Sequence, residues 1–214
     1  MISVIIPVFN NQNTIKRAVL SVISEPVVSE VLIIDDGSTD NSLKVLENLC
    51  KNKSIVKVIH HHNKENKGAS ASRNLGLSYA KFDWIQFLDG DDELLQGKLQ
   101  SQVQKVRPDI AFIVGNCIHV LPNGKKHFMK VDSQIWKGLI RSKLGRTSSI
   151  LWNKKYLLKV NGWNELLSSS QEYDLMFRLI LCNPNVIFDN KYLTLIHKEK
   201  NSISTNSHNK YKRI

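Results

Sequence analysis

Two acidic clusters, each placed directly after a short apolar run, constrain this chain more than any other feature. Asp35-Asp36-Gly37-Ser38-Thr39-Asp40 follows Val31-Leu32-Ile33-Ile34, and Asp89-Gly90-Asp91-Asp92 follows Trp84-Ile85-Gln86-Phe87-Leu88. Continuous apolar runs of this length fit strands of a parallel sheet covered on both faces, and such sheets take ligands in the crevice beyond the carboxyl ends of their strands. Both clusters then open onto one crevice. Carboxylates gathered there repel each other unless a cation or a hydrogen-bonding ligand offsets the charge, a pattern that suits a divalent metal and a polar, phosphate-bearing ligand.

The rest of the amino-terminal half supports a parallel sheet. Residues 2–7 read as a first strand, followed by a helix in which Ile15, Ala18, Val19, Val22 and Ile23 form an apolar stripe at helical spacing. After strand 31–34 comes a helix that Asp40 can cap, with Leu43, Leu46 and Leu49 on one face. Strand 55–59, a polar loop containing His60, His61 and His62, a helix over 69–80 and strand 84–88 complete the alternation. The three histidines read as a solvated loop, since neighbours in an extended chain point to opposite sides and cannot share one ion.

Beyond Asp92 the pattern becomes mixed. Strands are expected at 110–114 and 117–121, with a hairpin at Pro122-Asn123-Gly124 leading into 125–131, because Asn-Gly supplies the positive φ such turns need. Helices at 154–160 and 172–182 follow, then strand pieces at 186–188 and 192–196. The expectation is an α/β fold of one domain over residues 1–214, with a mostly parallel Rossmann-like central sheet flanked by helices and a mixed carboxyl-terminal half. No repeat or linker divides it.

The chain of 214 residues carries 30 Lys and Arg against 19 Asp and Glu, a net charge of +11. That balance favours an anionic partner, whether nucleotide phosphates, nucleic acid or an anionic membrane, without choosing among them. Cys50, Cys117 and Cys182 are too scattered for a zinc site or disulfide framework, and a reducing cytoplasm is the expected compartment. No run approaches a membrane span, and the chain opens on a strand pattern rather than a signal peptide. The basic tail, residues 206–214, allows peripheral contact with anionic lipid at the inner membrane face or serves only as a solvated terminus.

Four motifs carry a resemblance. Ser3-Val4-Ile5-Ile6-Pro7-Val8-Phe9-Asn10, Asp35 to Asp40, Gly68 through Arg73-Asn74, and Leu88-Asp89-Gly90-Asp91-Asp92 occur in an order and spacing that resemble the nucleotide-sugar-binding half of family 2 inverting glycosyltransferases, which have the glycosyltransferase-A fold. Val160-Asn161-Gly162-Trp163-Asn164-Glu165, Gln171-Glu172-Tyr173-Asp174-Leu175 and His197 through Ser202-Ile203-Ser204 resemble the acceptor-side motifs. The resemblance implies a nucleotide-sugar half over 1–92 and an acceptor-side half over 93–205.

It also implies roles. Pro7, Phe9 and Asn10 would lie against the base, Phe9 taking the place of a more usual Tyr, although Phe9 alone also reads as core. Asp36 would accept the uracil N3–H, a partner suited to an acceptor-only carboxylate, or form a turn into the next helix. Asp89 would face the ribose or sugar, and Asp91 would ligate Mn²⁺ or Mg²⁺ bridging the diphosphate. Arg73 sits where a cation helps the diphosphate or the sugar hydroxyls, or makes a surface ion pair. Glu172 inherits the catalytic base, with Gln171-Glu172 standing where the family commonly has Glu-Asp; its other reading, shared with Asp174, is helix-dipole compensation. His197 would approach the metal. The activity implied is transfer of a sugar from a nucleotide-diphosphate donor, with UDP preferred, to a saccharide or lipid-linked acceptor. A non-catalytic nucleotide-sugar binder stays open as the alternative. A nucleotidyltransferase is disfavoured because Pro7-Val8-Phe9-Asn10-Asn11-Gln12 lacks a glycine-rich loop, and the absence of G-x-G-x-x-G excludes a dinucleotide-binding dehydrogenase. No nucleic-acid module is recognisable, so nucleic acid is not an expected partner.

Overall fold

The computed structural model describes residues 1–51 and 53–198. In chain order the elements are β1 (Ile2–Val8), α1 (Ile15–Ile23), β2 (Val28–Asp35), α2 (Ser42–Cys50), β3 (Val56–His60), α3 (Ala69–Tyr79), β4 (Trp84–Phe87), β5 (Glu93–Leu94), α4 (Lys98–Val103), β6 (Phe112–Val120), β7 (Lys126–Met129), α5 (Ile135–Ile140), β8 (Ile150–Asn153), α6 (Lys154–Lys159), α7 (Gln171–Cys182) and β9 (Val186–His197).

Among the described residues, one sheet of nine strands runs through both halves in the order β3-β2-β1-β4-β8-β6-β9-β5, with β7 pairing with β6 off this path. The first four strands are mutually parallel. From there on, β8 runs antiparallel to β4 and to β6, β9 returns parallel to β6, and β5 closes against it antiparallel. The α/β fold and the mixed carboxyl-terminal half are as the sequence led one to expect.

The uninterrupted apolar runs are explained by burial on both faces. Ile5, Leu32, Ile34 and Phe87 point into one core layer with Trp152, Trp163, Leu175 and Leu179. Val4, Ile6, Val31 and Ile33 point into the other, where Ile15, Ala18, Val19 and Val22 of α1 cover them. Each such side chain contributes roughly 1.5–3 kcal/mol of transfer free energy. Helix α3 lies close to the sheet because Gly76 has no side chain: a Cβ there would collide with Ile5.

The structure corrects several local expectations. In place of the two strands expected within 110–121 there is the single strand β6 (Phe112–Val120), and in place of the two pieces expected within 186–196 the single strand β9 (Val186–His197), the two pairing across register shifts at Gly115, Asn116 and Ile118. The hairpin at Asn123-Gly124 is present, with Gly124 at φ +78°. Helices α4 and α5 and strands β5 and β8 had no expected counterpart. Helix α2 has Asn41 as its N-cap, while Asp40 accepts from the Ser42 N–H one position further along. His60 and His61 are not a solvated loop: the first pairs with Asp35 at 3.2 Å, and the second is buried against Ser72 at 2.9 Å and Asp36 at 3.5 Å. The basic tail and the Ser202-Ile203-Ser204 motif lie outside the described residues.

Candidate active site

The parallel strands β1, β2 and β4 end side by side and deliver the motifs to one crevice. Phe9 and Asn10 continue from β1. Asn10 takes φ +53°, a left-handed conformation that Asn tolerates. Its side-chain oxygen accepts the Thr39 N–H at 2.8 Å and the Asp40 N–H at 3.3 Å, while its own N–H donates to Ser38 Oγ. Asn10 thus shapes the loop after β2. Phe9 is 47% exposed, which removes its reading as core and leaves a ring presented beside the crevice. Pro7 is buried in β1.

Asp36 is buried at the end of β2. Its two carboxylate oxygens accept the Lys67 N–H at 2.7 Å and the Gly68 N–H at 2.9 Å, and Gly68 holds the φ of +87° that opens α3. These bonds occupy one acceptor position on each oxygen. A carboxylate offers about four such positions, so a further donor can be accepted.

The acidic turn after β4 is fixed from several directions. Gly90 is required for room rather than for φ: a Cβ there would sit 2.8 Å from Asn11 Oδ1 and 3.2 Å from the Pro7 carbonyl. Arg73 reaches from α3, buried, with one terminal nitrogen donating to Asp89 at 2.6 Å and the other to Gln171 Oε1 at 3.3 Å. Its guanidinium stacks over Trp163, 4.5 Å from the ring centroid. Arg17 donates to the Asp91 carbonyl. Asp92 is buried, and its oxygens accept from Ser148 Oγ at 2.6 Å and from the His197 N–H at 3.2 Å. Burial, reinforced by the charges of Asp89 and Asp91, pushes the Asp92 carboxyl well above the usual carboxylate range.

The amino terminus of α7 reaches the same turn through Gln171, which bonds Arg73 and donates its amide to the Leu167 carbonyl at 2.7 Å. A carboxylate could not make the second bond, which gives a physical reason for Gln where the family commonly has Glu. Glu172 lies partly exposed, 3.4 Å from Arg146. Asp174 is committed elsewhere: Arg178 forks onto it at 2.6 and 3.0 Å and also bonds the Val160 and Gly162 carbonyls. Both acids thus face an arginine, but only Asp174 is held by two nitrogens of its partner.

For a divalent metal, the donor set fits in a limited sense. Among the described residues no three metal-ligating side chains converge. Asp91 supplies a carboxylate, and the buried Nε2 of His197 has no hydrogen-bond partner among the described residues, lying 3.6 Å from Glu93. Burial and the nearby Arg17 push the His197 pKa below its ordinary value, which keeps that nitrogen available as a ligand. Mg²⁺ is commonly held by one or two carboxylates with the rest of its shell from substrate phosphates and water, and these residues suit that mode.

The sequence reading missed Ser148, Gln86, Arg146 and Lys98. Ser148 donates to Asp92 and accepts the Asp89 N–H at 3.2 Å, and its carbonyl accepts from Gln86 at 3.0 Å. Lys98 is buried and donates to Gln86. The one signal in the sequence was a polar Gln86 inside an otherwise apolar strand.

Residues 3–161 match the family model of glycosyl transferase family 2. A GalNAc(5)-diNAcBac-PP-undecaprenol beta-1,3-glucosyltransferase of Campylobacter jejuni is 34% identical over 172 residues, covering 77% of this chain and 55% of that protein. The chondroitin synthase of Pasteurella multocida is 29% identical over 188 residues, covering 84% of this chain and 19% of that one. Among solved structures, S. aureus TarS 1-349 in complex with UDP-GlcNAc superposes with a TM-score of 0.79 at 19% identity, covering 94% of this chain and 59% of that chain. The mannosyltransferase PcManGT from Pyrobaculum calidifontis in complex with GDP-Man and Mn²⁺ gives 0.74 at 13% identity, with 94% and 58% covered. This chain thus spans little more than half of these proteins, apart from the much longer synthase. The likeness to the solved structures concerns the fold, and the match of the family model over most of the chain settles membership: the chain belongs to glycosyl transferase family 2.

Proposed function

We propose that this chain transfers a sugar from a UDP-sugar to an acceptor hydroxyl with inversion at the anomeric carbon. The observation that carries the reading is the Asp89–Arg73–Gln171 chain of hydrogen bonds, which ties the acidic turn to the helix that bears Glu172. Asp36 and Phe9 take the uracil end. Asp89 faces the ribose or sugar, and Arg73 acts through it as a positioning residue, since both terminal nitrogens of its guanidinium are engaged within the protein. Asp91, together with His197, whose N–H bonds the neighbouring Asp92, would hold Mn²⁺ or Mg²⁺, which when bound would neutralise charge developing on the diphosphate.

In this reading Glu172 takes the proton of the acceptor hydroxyl as that oxygen attacks the carbon opposite the leaving nucleotide, and Arg146 keeps its carboxylate oriented. The Campylobacter relative is named for a PP-undecaprenol-linked saccharide, which supports a lipid-linked saccharide as acceptor. Among the described residues no helix is long and apolar enough to cross a membrane.

The test is a transfer assay over a panel of saccharide and lipid-linked acceptors, with Glu172→Gln set against the unmutated chain. Transfer should fall by roughly 10²–10⁴-fold, the usual share of general base catalysis, while UDP binding persists. Unchanged transfer would remove Glu172 from the chemistry. Tight UDP binding with no donor consumed under any condition would favour a non-catalytic binder.

A further inference from the structure

Positive charge and exposed apolar surface coincide on the acceptor-side half. Between Asp109 and Glu165 the sequence carries ten Lys and Arg and a single acid, Asp132, so this stretch holds most of the net +11 of the whole chain. Within it, α5 exposes Trp136 (48%) and Ile140 (81%), one helical turn apart. Helix α7 exposes Phe177 (44%) and Leu181 (63%) at the same spacing. The Trp136 and Phe177 rings meet edge to face, 6.3 Å between centroids, so the two helices contribute to one surface. Lys137, Arg141 and Lys143 are exposed on α5 and just after it. The acid nearest Phe177 in sequence, Asp174, is already matched by Arg178 at 2.6 Å.

We infer that this α5–α7 face seats the protein on an anionic lipid surface; the inference deepens the reading of a lipid-linked acceptor and rests on it. Aromatic and aliphatic side chains ringed by cations are what a headgroup layer accommodates, the rings and chains entering the acyl boundary while Lys and Arg remain with the phosphates. Nucleic acid would match the cations but gives no return for aliphatic side chains as exposed as Ile140 and Leu181. The face is also placed to serve the site, because Glu172 opens the same helix. Leu181 is nine residues on, about 14 Å along the axis at 1.5 Å per residue. A saccharide held at the headgroups by its lipid would thus lie close to the base.

The experiment is flotation of the full chain with phosphatidylcholine vesicles containing or lacking phosphatidylglycerol, at low and at physiological salt. The unmutated protein should float with the anionic vesicles only, and less so as salt rises. Replacing Lys137, Arg141 and Lys143 together by Gln should weaken binding about 100-fold, given the contribution each cation makes near an anionic surface. Trp136→Ser with Ile140→Ser, and separately Phe177→Ser with Leu181→Ser, should weaken it at every salt concentration while circular dichroism and UDP binding stay unchanged. Gln at Lys210, Lys212 and Arg213 should matter less than the α5 set. The inference is overturned if the unmutated protein does not float at low salt, if the tail variant alone abolishes flotation, or if the serine variants float normally. It is overturned equally if they dissociate a dimer seen by light scattering, since a second copy would then cover the face. Vesicle binding is read without any sugar transfer, and transfer to a water-soluble acceptor is read without vesicles, so failure of the docking face and failure of the enzymatic reading give different results.

Discussion

At the scale of single residues, the family resemblance gave the base to Glu172, while helix-dipole compensation stayed open as the other reading of both Glu172 and Asp174. Both lie in the first turn of a helix, where negative charge is favoured whatever its use. The distinguishing fact is the position of Arg178, which lies one turn further along and grips Asp174 while bonding two carbonyls of the Val160–Gly162 turn. Asp174→Asn should accordingly lower stability by about 1 kcal/mol, as expected for a partly exposed but forked ion pair. Donor turnover should stay near the unmutated rate. Urea unfolding and the transfer assay together check this; an inactive but fully stable Asp174→Asn protein would transfer the base from Glu172 to Asp174. The residues proposed for the metal and for the uracil were legible because each sits at the end of an apolar run. Arg73 was legible as a cation, but its burial against Trp163 was not, since that contact joins residues ninety apart.

At the scale of elements, the four parallel strands and the helices between them could be read from the sequence pattern alone, because β1, β2 and β4 are apolar runs buried on both faces, each helix is buried on one, and β3, though largely exposed at the sheet edge, is a short run rich in β-branched residues. Strand β8 and helices α4 and α5 could not. They are short, and β8 is flanked by Thr147, Ser148 and Ser149, whose polarity suggests a loop although all three are buried. Their burial has a purpose that only the fold shows: Ser148 brings β8 against the acidic turn. Ser148→Ala would leave the Asp92 carboxyl and the Asp89 N–H without that partner, at a cost of about 1–3 kcal/mol for buried polar groups. Denaturant unfolding should register that loss, and the metal dependence of UDP binding should weaken with it. A variant of undiminished stability would show that water replaces the hydroxyl.

Behind Ser148, Lys98 provides a pH test of the same region. Burial pushes its pKa down to about 7, against the opposing pull of Asp189 and Glu25. The folded chain therefore releases a proton that the unfolded chain keeps until near the ordinary lysine value. More protons bound in the unfolded state means that stability rises with pH, from about 7 upward toward the unfolded lysine pKa, by up to about 1.4 kcal/mol per pH unit. Below pH 7 both states hold the proton and the dependence disappears. Lys98→Met should flatten the slope above pH 7 in urea titrations; an unchanged slope would assign it to other groups.

At the scale of the whole molecule, one sheet carries two kinds of order. Its parallel part aligns three strand ends and so gathers Asp36, Asp89 and Asp91. Its mixed part folds back to bring His197, Ser148 and the start of α7 onto the same turn. The sequence revealed the first because it is written in local periodicity. The second depends on pairings between distant segments, such as β4 with β8 and β6 with β9, which no window of residues contains. The central claim is that this convergence makes a metal-assisted site for a uridine diphosphate. Calorimetric titration of UDP into the unmutated protein and into Asp91→Asn, each with and without Mn²⁺, tests it most directly. The expected result is affinity that depends on Mn²⁺ in the unmutated protein and loses that dependence in Asp91→Asn while the fold is retained. Equal UDP affinity with and without Mn²⁺ in the unmutated protein, or full Mn²⁺ dependence in Asp91→Asn, would contradict it.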